Sequence, residues 1–549
     1  MARSLPVVVL KEDTKRERGL NVMKKNILVA ITISEVMRPT LGPRGMDKMI
    51  LGQGGNVVIT NDGATILREI SVEHPAAKIM VEVAKAQDSV AGDGTATTVV
   101  FAGELLKKAE ECLNVGVHPS ILVSGFSKAS RKAAKVLEDL AFRVTPTDEK
   151  ILKSIARTAM SSKITVGTQD HLAHIVIEAI KGIVEETCGE LKVDLDNVKI
   201  EKQEGGSLMD TFFVDGVTVN REITHPTMPK YVEDAKIALI EGGLEVKEIK
   251  GRDLADVSLR IVAPSQIRTF LDKEKTIIKD MVEKIKSSGA NVAIINRGMD
   301  DLAVHYLAEA RISAWKRIFR PDMEKIARIT GGKLVRNPDE LTPETLGYAK
   351  VVEERKIGRE KYLLVKGGKN RKAVTVFVRG GTKYVVDEAE RGLHDALCVV
   401  RDSIEDGKAI VGGGAAEIEI SKHLEGFAKK VSGREQLAIE AFAEAVEVVP
   451  RTLTENSGLN VTDILSALKA EHDEGNRWTG VDALKKEICN MKDLGVFEPL
   501  RVKVHVIKSA TEAAIMLLRI DDAFFAKRTK EEKPPEKPGP EEGWEEEPH

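Results

Sequence analysis

The densest chemistry in the sequence lies in Val90-Ala91-Gly92-Asp93-Gly94-Thr95-Ala96-Thr97-Thr98, where one carboxylate sits between two glycines and hydroxyls follow at once. Glycines at 92 and 94 allow turn conformations closed to residues with a Cβ, so consecutive N–H groups can point into one concavity that suits an anion. The stretch runs into an apolar pattern that reads as a helix from Val99 onward, and a helix N-terminus adds unpaired N–H groups and a favourable dipole. Gly94, Thr95 and Thr97 could then cradle phosphate oxygens, and Asp93 could hold a magnesium ion bridging them. Ordinary helix capping uses the same residue types, so this nonamer by itself leaves both readings open.

Two further stretches favour the phosphate reading. Thr40-Leu41-Gly42-Pro43-Arg44-Gly45-Met46-Asp47-Lys48-Met49 supplies a second glycine loop after a helical segment. Ile59-Thr60-Asn61-Asp62-Gly63-Ala64-Thr65 places a carboxylate at a turn between a β-rich run and a helix. Hydrolysis of a phosphoanhydride needs neutralised phosphate charge, an in-line water and a residue to orient it, and these blocks can supply all three. There is no Walker A pattern, since Gly368-Lys369 is followed by Asn370 where Ser or Thr is required, and no protein-kinase signature set.

With Ala409-Ile410-Val411-Gly412-Gly413-Gly414-Ala415-Ala416 and Gly495-Val496-Phe497-Glu498-Pro499 downstream, the blocks resemble, in order, the nucleotide site of a group II chaperonin of the archaeal thermosome kind. The resemblance runs from about Leu20 to about Phe525. It implies ATP and Mg2+ as cofactors, with Asp93 on the metal and Leu41, Gly42, Pro43, Gly94, Thr95, Ala96, Thr97 and Gly413 around the nucleotide. Matching Leu393-His394-Asp395-Ala396-Leu397 to the family's catalytic-helix motif selects Asp395, which with Asp62 would orient the attacking water. Ser162 and Lys163 would reach down to the nucleotide, Lys163 as a sensor of the γ-phosphate, although a solvated turn lysine reads the same in isolation. Trp478, Gly480, Val481, Asp482 and Glu498 fall where chaperonins line the ribose and adenine. One departure stands out: the family usually carries a hydroxyl where this chain has Ala96, which predicts weaker nucleotide affinity or slower turnover.

The fold implied is α+β and multidomain. A mostly α-helical equatorial ATPase domain would comprise 1–147 and 405–526, a small intermediate domain 148–217 and 369–404, and an α/β apical domain 218–368 with a helical-protrusion lid at about 250–280. The function implied is an ATP-dependent chaperone that encloses unfolded proteins in a double ring. Its partners would be other chaperonin subunits, identical or different, and unfolded or misfolded clients. A plain ATPase or phosphotransferase whose insert binds a small substrate, and a non-hydrolysing scaffold, are the competing classes.

Composition limits the alternatives. A chain of 549 residues predicts about three to four domains. Lys plus Arg total 83 against 86 for Asp plus Glu, leaving a net charge of −3 and no basic footprint for a nucleic acid. Cys112, Cys188, Cys398 and Cys489 have no metal-ligand spacing and read as small apolar core residues. No run of about 18 uncharged apolar residues predicts a membrane span, and a cytoplasmic setting is expected.

The elements that must position these residues follow from periodicity. Helices are expected at Gly19–Arg38, Ala76–Ser89, Val99–Leu113, Pro119–Leu140, Glu149–Met160, His171–Thr187, Asp300–Ala310 and Ile318–Ile329, around Val385–Val400, and at Arg434–Val449 with Pro450 ending it. Pro264 should open a helix striped with Ile267, Phe270, Leu271, Ile278, Met281, Val282 and Ile285. Short β-branched runs predict strands at Pro6–Leu10, Val198–Ile200, Thr211–Val214, Val217–Val219, Ala235–Ile240, Leu259–Val262, Asn291–Ile295 and Val374–Val378, with Leu517–Ile520 as a closing strand. Asp387 and Asp402 are read as surface charges, and the Pro/Glu/Lys-rich tail 527–549 as disordered.

Overall fold

Small residues let the central helices cross closely. In Thr95–Asn114, the residues Val99, Val100, Phe101, Ala102, Leu105 and Leu106 are all buried, so this helix is enclosed on every side from Thr98 to Leu106. A Cβ added at Gly103 would stand 2.1 Å from Ser34 Oγ, so the absent side chain is what allows Leu20–Met37 to pack against it. Phe101 and Phe126 both meet Phe442 edge to face, at 5.5 and 5.8 Å between centroids, a favoured aromatic geometry. The computed structural model from which these contacts are read describes residues 15–52, 55–70, 72–163, 167–187, 189–245, 264–369 and 373–525.

The two ends of the chain build one helical body. Leu20–Met37, Pro75–Ala91, Thr95–Asn114 and Pro119–Leu140 pack with Ala415–Ala428, Glu435–Val446 and Leu500–Leu518 around a single apolar core. Strand Lys408–Val411 lies between Phe142–Arg143 and Phe497–Pro499, and Lys15–Arg18 pairs antiparallel with Asp522–Phe525. Continuous with that core, Glu149–Met160, Gln169–Ile183 and Lys383–Asp406 flank a sheet in which, among the described residues, Val374–Gly380 runs between Val198–Glu204 and Phe212–Val214.

Between them stands an α/β unit with its own core, drawn from residues 217–373. Its sheet order is Ser313–Trp315, Val292–Ile295, Tyr231–Ile240, Gly347–Ile357, Glu360–Gly368 and Gly216–Val219, with Leu334–Val335 also on Tyr231–Ile240. Pairing is parallel among the first three strands and antiparallel from Tyr231–Ile240 onward. Pro264–Ser287, Asp301–Glu309 and Arg320–Thr330 accompany the sheet, with Ile278, Val282 and Ile285 buried against it. The result is an α+β multidomain fold.

Several expectations are corrected. The helix expected from Val99 begins at Thr95, because Thr-Ala-Thr-Thr forms a first turn without apolar periodicity. The expected helix His171–Thr187 ends at Ile183 and turns into strand Val184–Thr187. Pro450 does not end a helix but lies in the first turn of Val448–Asn456, where its missing N–H has no intrahelical role. Leu517 and Leu518 finish a helix, and the closing strand is Asp522–Phe525. The Gly347–Gly368 hairpin escaped the sequence reading altogether. Asp402 is no surface charge: it is fully buried and paired with Arg401 and Arg501. Cys398 is buried, but Cys112 and Cys489 are only half-buried. The expected strands Pro6–Leu10 and Leu259–Val262, the side chains of Phe270 and Leu271, Cys188, much of the segment 250–280 and the tail 527–549 lie outside the described residues.

Candidate active site

Where the two halves of the helical body meet, a cleft of about 540 Å³ opens, within the range of ligand sites. Leu41, Gly42 and Pro43 form one part of its wall, Asp62 another, and Asp93, Gly94, Thr95, Ala96 and Thr97 a third. Ser162 and Lys163 reach it from the turn after Glu149–Met160, and Gly413, Asp482 and Glu498 come from the C-terminal half. Asp395, Trp478 and Gly480, among the residues picked from the sequence, do not line the cleft. Asp395 sits in the middle of Lys383–Asp406, behind Lys163. Trp478 belongs elsewhere, in a separate hollow with Arg477 and Lys492 beside its ring.

At the start of Thr95–Asn114 the backbone donors are left open. Gly94 is the N-cap residue at φ 79, provides no side-chain cap, and its carbonyl accepts first from Thr98 N at 2.9 Å. The N–H groups of Thr95, Ala96 and Thr97 are therefore free of intrahelical acceptors, the condition under which helix starts bind anions. Gly94 N–H donates to Asp93 Oδ1 at 2.6 Å, and Gln87 Nε2 donates to the Asp93 carbonyl at 2.7 Å, which fixes this loop. Burial pushes the Asp93 carboxyl up, against the pull of Lys163 and the Gly94 N–H, so a nearby positive charge would favour its ionised form.

Asp62 caps the short helix Gly63–Glu69. Its Oδ2 accepts from Thr65 N at 2.8 Å, which leaves Oδ1 for Lys163 Nζ at 3.2 Å. Lys163 Nζ also ion-pairs with Asp395 Oδ2. Burial works against the lysine charge, yet Asp395 and Asp62 outweigh it and the Lys163 pKa is raised. For Asp62 burial is likewise outweighed, by Lys163 and the Thr65 donors, and its carboxyl is held below the usual range. Asp395 is pushed well up by burial, Lys163 opposing and the charges of Asp62 and Asp93 adding. Asn61 Nδ2 donates to the Ser162 carbonyl at 2.5 Å, pinning the turn that carries Lys163.

Sequence reasoning missed two groups here, Arg44 and Lys503. Arg44 Nε and Nη2 donate to the Ala483 and Leu484 carbonyls at 2.8 and 3.1 Å, clasping two walls whose residues lie 439 and 440 positions apart. Lys503 lines the cleft and pairs with Glu417 and Glu498. Its position was detectable, because Lys503, Ile507, Ala510 and Ala514 share one buried helix face on which a lysine is out of place. Asp482 is itself occupied as a turn cap, its Oδ1 accepting from Leu484 N and Lys485 N.

Residues 33–528 match the TCP-1/cpn60 chaperonin family. A thermosome subunit of Pyrococcus horikoshii is 52% identical over 534 residues, covering 97% of this chain and 96% of that protein. The thermosome subunit beta of Thermococcus kodakarensis is 51% identical over 528 residues, 96% of each chain. The thermosome subunit alpha of Archaeoglobus fulgidus is 49% identical over 531 residues, 97% of each. The chain belongs to the TCP-1/cpn60 chaperonin family. Within it, this is a subunit of the group II, ATP-dependent kind, an ATPase whose hydrolysis is coupled to protein folding. Among the described residues, no helix is long and apolar enough to cross a membrane.

Proposed function

We propose that the cleft is the ATPase site of this chaperonin subunit, with Asp93 as the magnesium ligand and Asp62 and Asp395 as the groups that orient the attacking water. The observation that carries this reading is the convergence of Asp62, Asp93 and Lys163, from three separate segments, on an uncapped helix start. The donor set fits: among the described residues no three or more metal-ligating side chains form a ready cage, and magnesium commonly rests on one or two carboxylates plus phosphate oxygens. Magnesium–ATP would supply the phosphoanhydride bond and a metal charge that offsets the phosphates, with Asp93 as the residue that would hold the metal. The N–H groups of Thr95, Ala96 and Thr97, with the Thr95 and Thr97 hydroxyls, hold anionic oxygens. Asp62 Oδ1 and Asp395 accept hydrogen bonds from water once Lys163 no longer spans them, so Lys163 couples the occupant of the cleft to the turn 161–163. Gly413, Asp482 and Glu498 bound the nucleoside, and Leu41, Gly42 and Pro43 close over it.

On this reading 1–147 with 405–526 form the equatorial domain, and 148–217 with 369–404 the intermediate domain moved by hydrolysis. The α/β unit, 218–368, is the apical domain that grips unfolded or misfolded clients beneath a lid at about 250–280. Subunits assemble as two stacked rings in the cytoplasm. The test compares phosphate release by the assembled wild type with Asp62→Ala and Asp395→Ala, with and without a magnesium chelator. Turnover should fall by roughly 10²–10⁴ in each variant while ATP still binds. Wild-type rates in both variants would reject the assignment.

A further inference from the structure

Six residues before Asp93, on the helix Pro75–Ala91, stands Gln87, a fully buried side chain that lies behind the cleft and not in its lining. Its Nε2 donates to the Asp93 carbonyl at 2.7 Å, and its Oε1 lies 2.7 Å from Nδ1 of His505, which is 418 positions away on Leu500–Leu518. A carbonyl oxygen can only accept, so the amide must present Nε2 to Asp93 and Oε1 to the histidine, and this requires the His505 proton on Nδ1. The packing is close: a Cβ at Gly94 would stand 3.2 Å from Gln87 Nε2 and 3.1 Å from both Val502 Cγ1 and Val506 Cγ2. A buried amide costs free energy unless both of its ends are bonded, and an apolar side chain of the same length would fill this space without that demand.

What the amide does follows from the bonds at the helix start. A helix that continued one residue further back would close Thr97 N–H onto the Asp93 carbonyl, as Thr98 N–H closes onto the Gly94 carbonyl at 2.9 Å. No such bond forms, because the Asp93 carbonyl is turned away from the helix and taken by Gln87. Gly92 and Gly94, at φ 64 and 79, supply the left-handed turns this needs on either side of Asp93. Gly94 N–H in turn donates to Asp93 Oδ1 at 2.6 Å, so one loop conformation sets the carbonyl, the carboxylate and the open N–H of Thr97 together.

We propose that Gln87, oriented by His505, is a positioning residue for the ATPase: by holding the Asp93 carbonyl away from Thr97 it keeps that N–H free for a phosphate oxygen. The proposal rests on the nucleotide reading above and adds to it the device that keeps the helix start open. Without the amide, the Asp93 carbonyl would be left unsatisfied, and Thr97 N–H is the donor that helix geometry offers it. The helix start would then be capped by its own chain, with one donor fewer for an anion. His505 acts one step further back, since a flipped amide would set Nε2–H against the His505 N–H and Oε1 against the Asp93 carbonyl.

The experiment measures KM and kcat of the assembled protein for ATP and determines a nucleotide-free crystal structure of Gln87→Met, which keeps the side-chain length and removes the donor. KM should rise about tenfold, as for one N–H bond lost to a charged group, with kcat changed by less than about threefold. In the crystal, Thr97 N should stand within hydrogen-bond distance of the Asp93 carbonyl. His505→Leu, which frees the amide to flip, should raise KM about threefold, whereas His505→Gln, which can still donate to Gln87 Oε1, should stay within about twofold of wild type. Should Gln87→Met fail to assemble, the contrast between the two His505 variants decides. A wild-type KM in Gln87→Met, a loss confined to kcat, a helix start still open in its crystal, or equal KM values in the two His505 variants overturns the positioning role. If Asp62→Ala and Asp395→Ala have lost turnover in that case, the cleft stands as the ATPase site and Gln87 alone is dismissed. Wild-type turnover in both carboxylate variants removes the nucleotide reading itself.

Discussion

Lys163 and Lys503 each stand between two carboxylates in the wall of one cleft, but the segments that carry them are joined to the molecule in different ways. Lys163 follows a helix end, and its partners come from a seven-residue helix 101 positions earlier and the middle of a helix 232 positions later. Its turn is held by bonds back to the helix end, Lys163 N–H to the Met160 carbonyl among them, and by one from Asn61 to the Ser162 carbonyl. Lys503 lies in the first turn of a nineteen-residue helix, and its partners sit on the adjoining strand and on the first turn of a neighbouring helix in the same core. A bridge between separately carried segments is one that a competing anion can open. A bridge cut into a packed floor is a fixed seat. The same three charges therefore make a bridge between separate segments at one wall and a bridge within one packed core at the other.

The largest effect should come from cutting the bridge between segments. Lys163→Met leaves Asp62 and Asp395 beside one another without a cation, and removing one member of a buried pair typically costs about 3–5 kcal/mol. The urea midpoint should drop accordingly and turnover should fall with it. Adding Asp395→Asn to Lys163→Met should recover most of the stability but none of the turnover, because the buried charge is gone while the carboxylate proposed to orient water is not replaced. If Lys163→Met kept the wild-type midpoint, the pair would not be the buried bridge that distinguishes the two walls.

A third ion cluster ties the two regions together and predicts a smaller, pH-dependent effect. Arg501 sits two residues before Lys503 and bonds Asp402 at 3.0 Å, Glu405 at 3.3 Å and Asp406 at 2.8 Å, all on the helix that carries Asp395. Burial pushes Asp402 from 3.8 up to about 6, against Arg401 and Arg501 and with Asp406 adding to the rise. A carboxyl whose folded pKa is raised binds more protons folded than unfolded, so its contribution to stability declines as pH rises between those values. The stability of wild type relative to Asp402→Asn should therefore fall from about pH 4 to about pH 6 and stay flat above. A relative stability that rises across that window would show that the arginines, not burial, dominate.

The glycine blocks around the cleft were legible because backbone demands leave a local trace: a carboxylate flanked by Gly92 and Gly94, or set at a strand-to-helix turn as at Asp62, needs no partner to be recognised. Charge pairing leaves none. Glu417 and Lys503 are 86 positions apart, and only the fold brings them to 2.6 Å. Asp402 was misread although it lies seven residues, two helical turns, beyond Asp395 and so on the same buried face, a spacing that argued against a surface position. The Gly347–Gly368 hairpin was missed because both strands carry charges on half-exposed faces, which blurs the alternation that marks a strand, and the turn is only Gly358-Arg359, with Gly358 at φ 62.

The smallest expected effect sharpens the contrast from the open helix start. Ala96 is the second residue of Thr95–Asn114 and borders the cleft, with Gly63 packed so near that a Cβ there would stand 2.8 Å from the Ala96 nitrogen. Its N–H is available to an anion whatever the side chain, so what the chain lacks is one hydroxyl donor, worth about 0.5–1.5 kcal/mol. Ala96→Thr should supply it, at a separate folding cost of roughly 0.5 kcal/mol for placing a β-branched residue in a helix. The gain in ATP affinity is then about two- to tenfold, read by equilibrium titration with a fluorescent ATP analogue. No gain at all would mean that the backbone donors already saturate the phosphate at this position.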